Sequence, residues 1–141
     1  MTQTFQILGD PKAQGRPRFC RRGNFVGAYD PKDSRQYKDN ISAQISAQKP
    51  VYIGEGAICL EAEFILARPK TLPKKVVDHT KKPDLDNLLK AVKDAMTGIV
   101  WRDDSQVVSL IARKDYGPTP GIKVVVKHER TATSIDRPRE A

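Results

Sequence analysis

At 141 residues and 15.8 kDa the chain has room for one hydrophobic core and not for two domains of ordinary size. No apolar run approaches the ~20 residues that span a bilayer, and MTQTFQILGDP has no basic stretch leading into an apolar one, so neither a membrane span nor a secretory leader is expected and the cytoplasm is the default compartment. The formal charge of +8 and pI near 9.6 favour a polyanionic partner; the two cysteines, Cys20 and Cys59, and the isolated His79 and His128 lack the clustered spacing of a zinc site.

Thr4 to Leu8 alternates weakly and reads as a first strand, closed by Gly9-Asp10-Pro11. Residues 10 to 32 are rich in Gly, Pro and Arg with Phe19, Phe25 and Tyr29 interspersed, which predicts a long functional loop or a loose hairpin. Asp33 or Ser34 is placed to cap a helix reaching about Gln48, with Tyr37, Ile41 and Ile45 on one face. Ala57 to Ala67 is the clearest strand: Ile58, Leu60, Ala62, Phe64 and Leu66 face one way and Cys59, Glu61 and Glu63 the other. A connection rich in proline and lysine follows over residues 68 to 83, then a helix of roughly Asp86 to Thr97 whose apolar face is Leu85, Leu88, Leu89, Val92 and Met96, with Gly98 placed to end it. Strands are predicted over Gln106 to Lys114 and Ile122 to Lys127. The order points to a single two-layer α+β domain over residues 1–128, with one mixed or antiparallel sheet and helices on one face. Residues 129–141 have no apolar periodicity and are expected to form a flexible tail.

Charge is unevenly spread. Lys12, Arg16, Arg18, Arg21 and Arg22 lie together with no acid among them, and Lys81 and Lys82 end a second basic stretch opposed only by Asp78. Directly after comes an acidic cluster. Asp84 and Asp86 stand two apart where an extended segment enters a helix, an approach that Pro83 favours by steering Lys82 from helical angles. Alternate residues of extended chain share a side, so the two carboxylates can aim in a similar direction and offer magnesium the hard oxygen ligands it prefers. A cap of the helix is the plainer alternative, but it requires one carboxylate, and here a second pair, Asp103-Asp104, follows the helix. For the two pairs to meet in one chain, the return through Gly98 to Trp101 must bring Asp103 and Asp104 back beside the helix start. Lys90, four residues after Asp86, is either an ordinary surface partner of that acid or an ammonium aimed at a scissile phosphate. Asp94 repeats the spacing and reads as a partner of Lys90 rather than a ligand; Asn87 either orients a carboxylate or phosphate or bonds to the helix start.

From Lys82 onward, KPDLDNLLKAVKDAMTGIVWRDDSQVVSL closely resembles the RusA family of Holliday junction resolvases of bacteria and their phages. The match is to a compound pattern: D-x-D-N, a lysine four residues after the second Asp, a helix ending in Gly, then an aromatic followed by D-D-x-Q-V. GDPKAQGRPRF is similar to the Gly-Arg-Pro-Arg loop of one branch of that family, whereas residues 68 to 82 and the tail after His128 match nothing in it. The resemblance implies metal-binding carboxylates at Asp84, Asp86 and Asp104, a less defined acidic role for Asp103, and Lys90 as the essential lysine. It implies a homodimer nicking two opposed strands of a four-way junction with Mg2+, Mn2+ as a substitute, and a bacterial, phage or prophage origin. The basic loop would grip phosphates, with Phe19 or Phe25 stacking on an unpaired base or simply anchoring its own loop. Two other readings compete. A phosphatase or sugar-nucleotide enzyme built on D-x-D fits poorly, because HTKKP rather than a buried apolar strand precedes the motif. A basic nucleic-acid-binding module with structural carboxylates is the stronger rival, and it predicts DNA binding indifferent to loss of Asp86.

Overall fold

A computed structural model describes the backbone of residues 1–14, 18–23, 25–29 and 32–128, and the side chains of 1–14, 23 and 32–128. In chain order the elements are β1 (Thr2–Leu8), β2 (Arg18–Arg22), β3 (Phe25–Tyr29), α1 (Lys32–Ala47), β4 (Ile58–Ala67), α2 (Leu85–Met96), a 3-10 turn at Asp104–Gln106, β5 (Val107–Gly117) and β6 (Gly121–His128). The alternation foreseen in β4 is present: Ile58, Leu60, Ala62, Phe64 and Leu66 are buried, and the residues between them are not.

β4 lies inside a four-stranded mixed sheet of order β1-β6-β4-β5. β6 runs antiparallel to both β1 and β4, whereas β5 runs parallel to β4. A parallel neighbour cannot be reached by a hairpin, so the chain between β4 and β5 must cross over, and α2 is that crossover. Phe5 and Ile7 of β1, the inward residues of β4, and Ile122, Val124 and Val126 of β6 form one apolar face. Ile41 and Ile45 of α1 and Leu88, Leu89, Val92 and Met96 of α2 close over it, giving the expected α+β domain with helices on one side. Phe64, fully buried in the central pair of strands, is expected to cost about 3–5 kcal/mol when cut back to Ala, read as a lower urea midpoint with an unchanged slope.

Several boundaries differ from expectation, β1 starting at Thr2 rather than Thr4 among them. Within residues 10 to 32, β2 and β3 pair as a regular ladder from Arg18 opposite Tyr29 to Arg22 opposite Phe25, a firmer hairpin than the Gly- and Arg-rich composition indicates. α1 begins at Lys32, just before the expected cap. β5 continues to Gly117 because Asp115, Tyr116 and Gly117 stay in register with Ile65, Leu66 and Ala67. The proposed tail, 129–141, lies outside the described residues.

Candidate active site

Asp84 occupies the N-cap position of α2 with extended angles (φ −70°, ψ 142°), yet its carboxylate makes no capping hydrogen bond. The plain role for this residue is therefore unfilled. Among the described residues Asp86, in the first turn, accepts only the neighbouring Asn87 amide N–H, at 2.9 Å. Both carboxylates are exposed, as is Lys90 one turn further on, which has no ion-pair partner among the described residues. Asp94 is half-buried on the same stripe and makes no ion pair with Lys90. The carbonyl of Asn87 accepts the Gln14 backbone N–H at 3.1 Å, which ties the loop after β1 to the first turn of α2. Lys12, two residues earlier in that loop, donates its backbone N–H to the Tyr37 hydroxyl at 3.0 Å and carries its ammonium 5.9 Å from the ring centre. Burial pushes the Tyr37 phenol up from its ordinary value, and the Lys12 bond partly opposes this, so the ring remains a neutral support for the loop.

One residue at this end went unforeseen. Lys114 of β5 donates to the carbonyls of Lys81 at 2.7 Å and Pro83 at 2.8 Å, bracing the segment that delivers Asp84. Its register partner is the buried Phe64, so it faces the helix side of the sheet. The signal was visible: Leu110, Ala112 and Lys114 share one face of a strand, and a lysine on the side of the core needs polar partners. Lys114→Met is expected to loosen the segment that carries Asp84, read as amide hydrogen exchange faster by about tenfold or more around Lys81 to Asp84. Lys114→Arg should restore much of the protection; unchanged exchange in Lys114→Met would remove Lys114 as the brace.

The second acidic pair sits at the other end of α2. Gly98, with φ 88°, turns the chain sharply after Thr97, and its N–H reaches the Trp101 carbonyl at 2.6 Å. Trp101 is fully buried, and its indole N–H is shared between Thr97 Oγ1 at 3.2 Å and Asp104 Oδ1 at 3.1 Å. The Thr97 hydroxyl also contacts Asp104 Oδ1, at 2.8 Å. One carboxylate oxygen of Asp104 is thus held from two sides, while Oδ2 takes no bond from a described residue. Asp103 is used differently. Its side chain accepts the Ser105 N–H at 2.9 Å and, with Gln106, forms a capping box on the 3-10 turn. That backbone bond, then the Ser105 hydroxyl, holds its carboxyl below the usual range.

Within one chain the two groups do not meet. Thr97, which grips Asp104, lies eleven residues beyond Asp86, or about 16 Å along the helix axis. Among the described residues no three His, Cys, Asp or Glu side chains gather closely enough to hold a metal ion. The return from Gly98 to Trp101 is bonded to the last turn of α2 and to Ile53, so it stays at that end, and β5 then runs back towards the helix start. Lys81 and Lys82 are exposed beside Asp84 and form no ion pair with a described residue. The side chains of Arg16, Arg18, Arg21, Arg22, Phe19 and Phe25 lie outside the described residues. No helix among the described residues is long and apolar enough to cross a membrane.

Residues 9–127 match the family described as Endodeoxyribonuclease RusA, a span that covers β4, β5, β6 but for its last residue, both helices and both acidic pairs, and leaves out β1. The protein is accordingly an endodeoxyribonuclease. It belongs to the RusA family. One relative, the uncharacterized protein YqaN of Bacillus subtilis (strain 168), is 33% identical over 133 residues, covering 87% of this chain and 94% of its own. Another, the crossover junction endodeoxyribonuclease rusA of Lactococcus phage r1t, is 31% identical over 116 residues, covering 81% and 80%.

Proposed function

We propose that the protein resolves four-way DNA junctions in the bacterial cytoplasm, as a host or phage-derived enzyme, using Mg2+ or Mn2+ and working as a two-fold dimer. In that dimer each metal is held by Asp84 and Asp86 of one subunit and Asp104 of the other. The observation that carries the reading is the placing of exposed or partly free carboxylates at opposite ends of α2, too far apart for one chain to join. A two-fold axis across α2 and β5 lays the C-terminal end of one helix beside the N-terminal end of the other, which brings the separated groups together twice. β5 suits such a contact. It is an edge strand, and Val108, Leu110 and Ile111 on it are 60%, 44% and 61% exposed. Open edges carrying apolar side chains are surfaces that proteins normally pair or cover.

The donor set fits a hard divalent cation: three carboxylates, with room for water and a phosphate oxygen. When bound, the ion supplies Lewis acidity that acidifies water and screens charge on the phosphoryl group. The chain's own residues do the rest. Lys90, unpaired among the described residues on the stripe that leads away from Asp86, donates to a non-bridging phosphate oxygen as charge builds there. Asp94 sits one turn further to orient it, Asn87 lines the first turn, and Asp103 holds the turn that presents Asp104. Lys12, Lys81 and Lys82, with Arg16, Arg18, Arg21 and Arg22, bind backbone phosphates and so position DNA without reading sequence. Water is the nucleophile.

A labelled four-way junction incubated with the protein tests this directly. Paired nicks in opposed strands are expected with Mg2+, with EDTA abolishing them and linear duplex left largely uncut. Equal cutting of duplex and junction would refute the substrate assignment.

A further inference from the structure

Beside the acid pair lies an open cavity of about 320 Å³, with Asp10, Leu66, His79, Lys81, Lys82 and Tyr116 among its lining residues. It is bounded by the C-terminal ends of β4 and β5 and by the connection that follows β4. That connection is a built wall. The Arg68 guanidinium donates to the carbonyls of Pro73 and Val76, each at 2.6 Å, and lies 5.6 Å from the Tyr116 ring centre. His79 in turn stacks on Tyr116, with ring centres 4.6 Å apart and planes tilted by 41°.

His79 Nδ1 is occluded within this wall and has no hydrogen-bond partner among the described residues, so the ring meets the cavity through its other atoms. Lys81 and Lys82 stand exposed on the rim without ion pairs to described residues, although Asp10 lines the same cavity. The cavity also has a defined position: Lys82 is two residues from Asp84, at most about 7 Å of extended chain. Whatever fills it lies within a nucleotide or so of the phosphate that Asp84 serves.

We propose that the cavity receives a nucleobase of the bound DNA, taken out of the helical stack next to the cut; this rests on the junction-cleaving reading above. A base has what the site asks for. Its flat face suits the His79–Tyr116 wall, and its edge carries N–H groups that the Asp10 carboxylate can accept. The phosphates flanking it meet Lys81 and Lys82. Bases at a branch point are the least costly to unstack, so the cavity favours junctions over duplex and sets the cut at a fixed step from the base it holds. A preference among nucleotide sequences then follows from the edge groups, separately from the phosphate contacts.

Photo-crosslinking reads this without requiring cleavage. Four-way junctions carrying a single 5-iododeoxyuridine at successive positions around the branch are bound in EDTA, irradiated, digested and sequenced by mass spectrometry. One position next to the branch is expected to crosslink to the peptide bearing His79 or Tyr116. His79→Ala should cut that yield about tenfold and spread the nicks made with Mg2+ over more sites of a mobile junction, with affinity within about twofold. His79→Phe, which keeps a flat ring in the wall, should retain both the crosslink and the site preference. Crosslinks confined to other peptides on a bound junction, or an unaltered nick pattern in His79→Ala, overturn the proposal. A parent that crosslinks at His79 but never nicks would sink the resolvase reading and leave the base pocket standing.

Discussion

Asp86→Asn is expected to slow Mg2+-dependent junction cleavage by on the order of a thousandfold or more while leaving junction affinity equal or tighter. The substitution is nearly isosteric. The one hydrogen bond that the Asp86 side chain makes, from the Asn87 N–H, is available equally to an amide oxygen. Loss of a negative charge from the first helical turn costs about 0.3–1 kcal/mol, too little to unfold the domain. What disappears is a charged oxygen ligand, and with it a repulsion towards phosphate. Single-turnover cleavage with Mg2+ and gel shifts in EDTA separate the two effects. A variant that cuts like the parent removes Asp86 from the reaction, and one that loses binding as well makes it a folding residue.

Mixing two inactive variants addresses the shared site. Asp86→Asn and Asp104→Asn should each be inactive alone. In a mixed dimer with composite sites, one site pairs the intact Asp84 and Asp86 of one subunit with the intact Asp104 of the other, and the second site carries both changes. Random exchange at equal amounts makes half the dimers mixed, so about a quarter of all sites regain activity, and they deliver single nicks rather than pairs. If each subunit held its metal alone, no site in any dimer would be whole and the mixture would stay inactive. Tagging the two variants differently and isolating the mixed dimer before assay sharpens the contrast.

Much of the architecture could be read from side-chain alternation. β4 and α2 were visible because one face of each is apolar at its own period and both are packed on one side only. The hairpin of β2 and β3 was harder, since RFCRR and FVGAY have no consistent apolar face and their pairing follows from the backbone ladder. At the site, the residue types around Asp84, Asp86, Lys90 and Asp104 were legible, but their separation was not. Spacing along a chain says that α2 is long enough to hold two groups apart; only the hydrogen bonds of Thr97 and Trp101 show Asp104 kept at the far end. Lys114 was obscured for a related reason, because its partners are carbonyls more than thirty residues away rather than a nearby acid.

α2 is also a ruler. Buried along Leu88, Ala91, Val92, Ala95 and Met96, it cannot slide or bend freely, and in the proposed dimer its length of about 18 Å sets the gap between the two cutting centres. Adding or deleting one residue would shift that gap by only about 1.5 Å but swing one end round by about 100°, turning a carboxylate away from its opposite number. The helix is therefore constrained in its count as well as at the exposed Asp86 and Lys90.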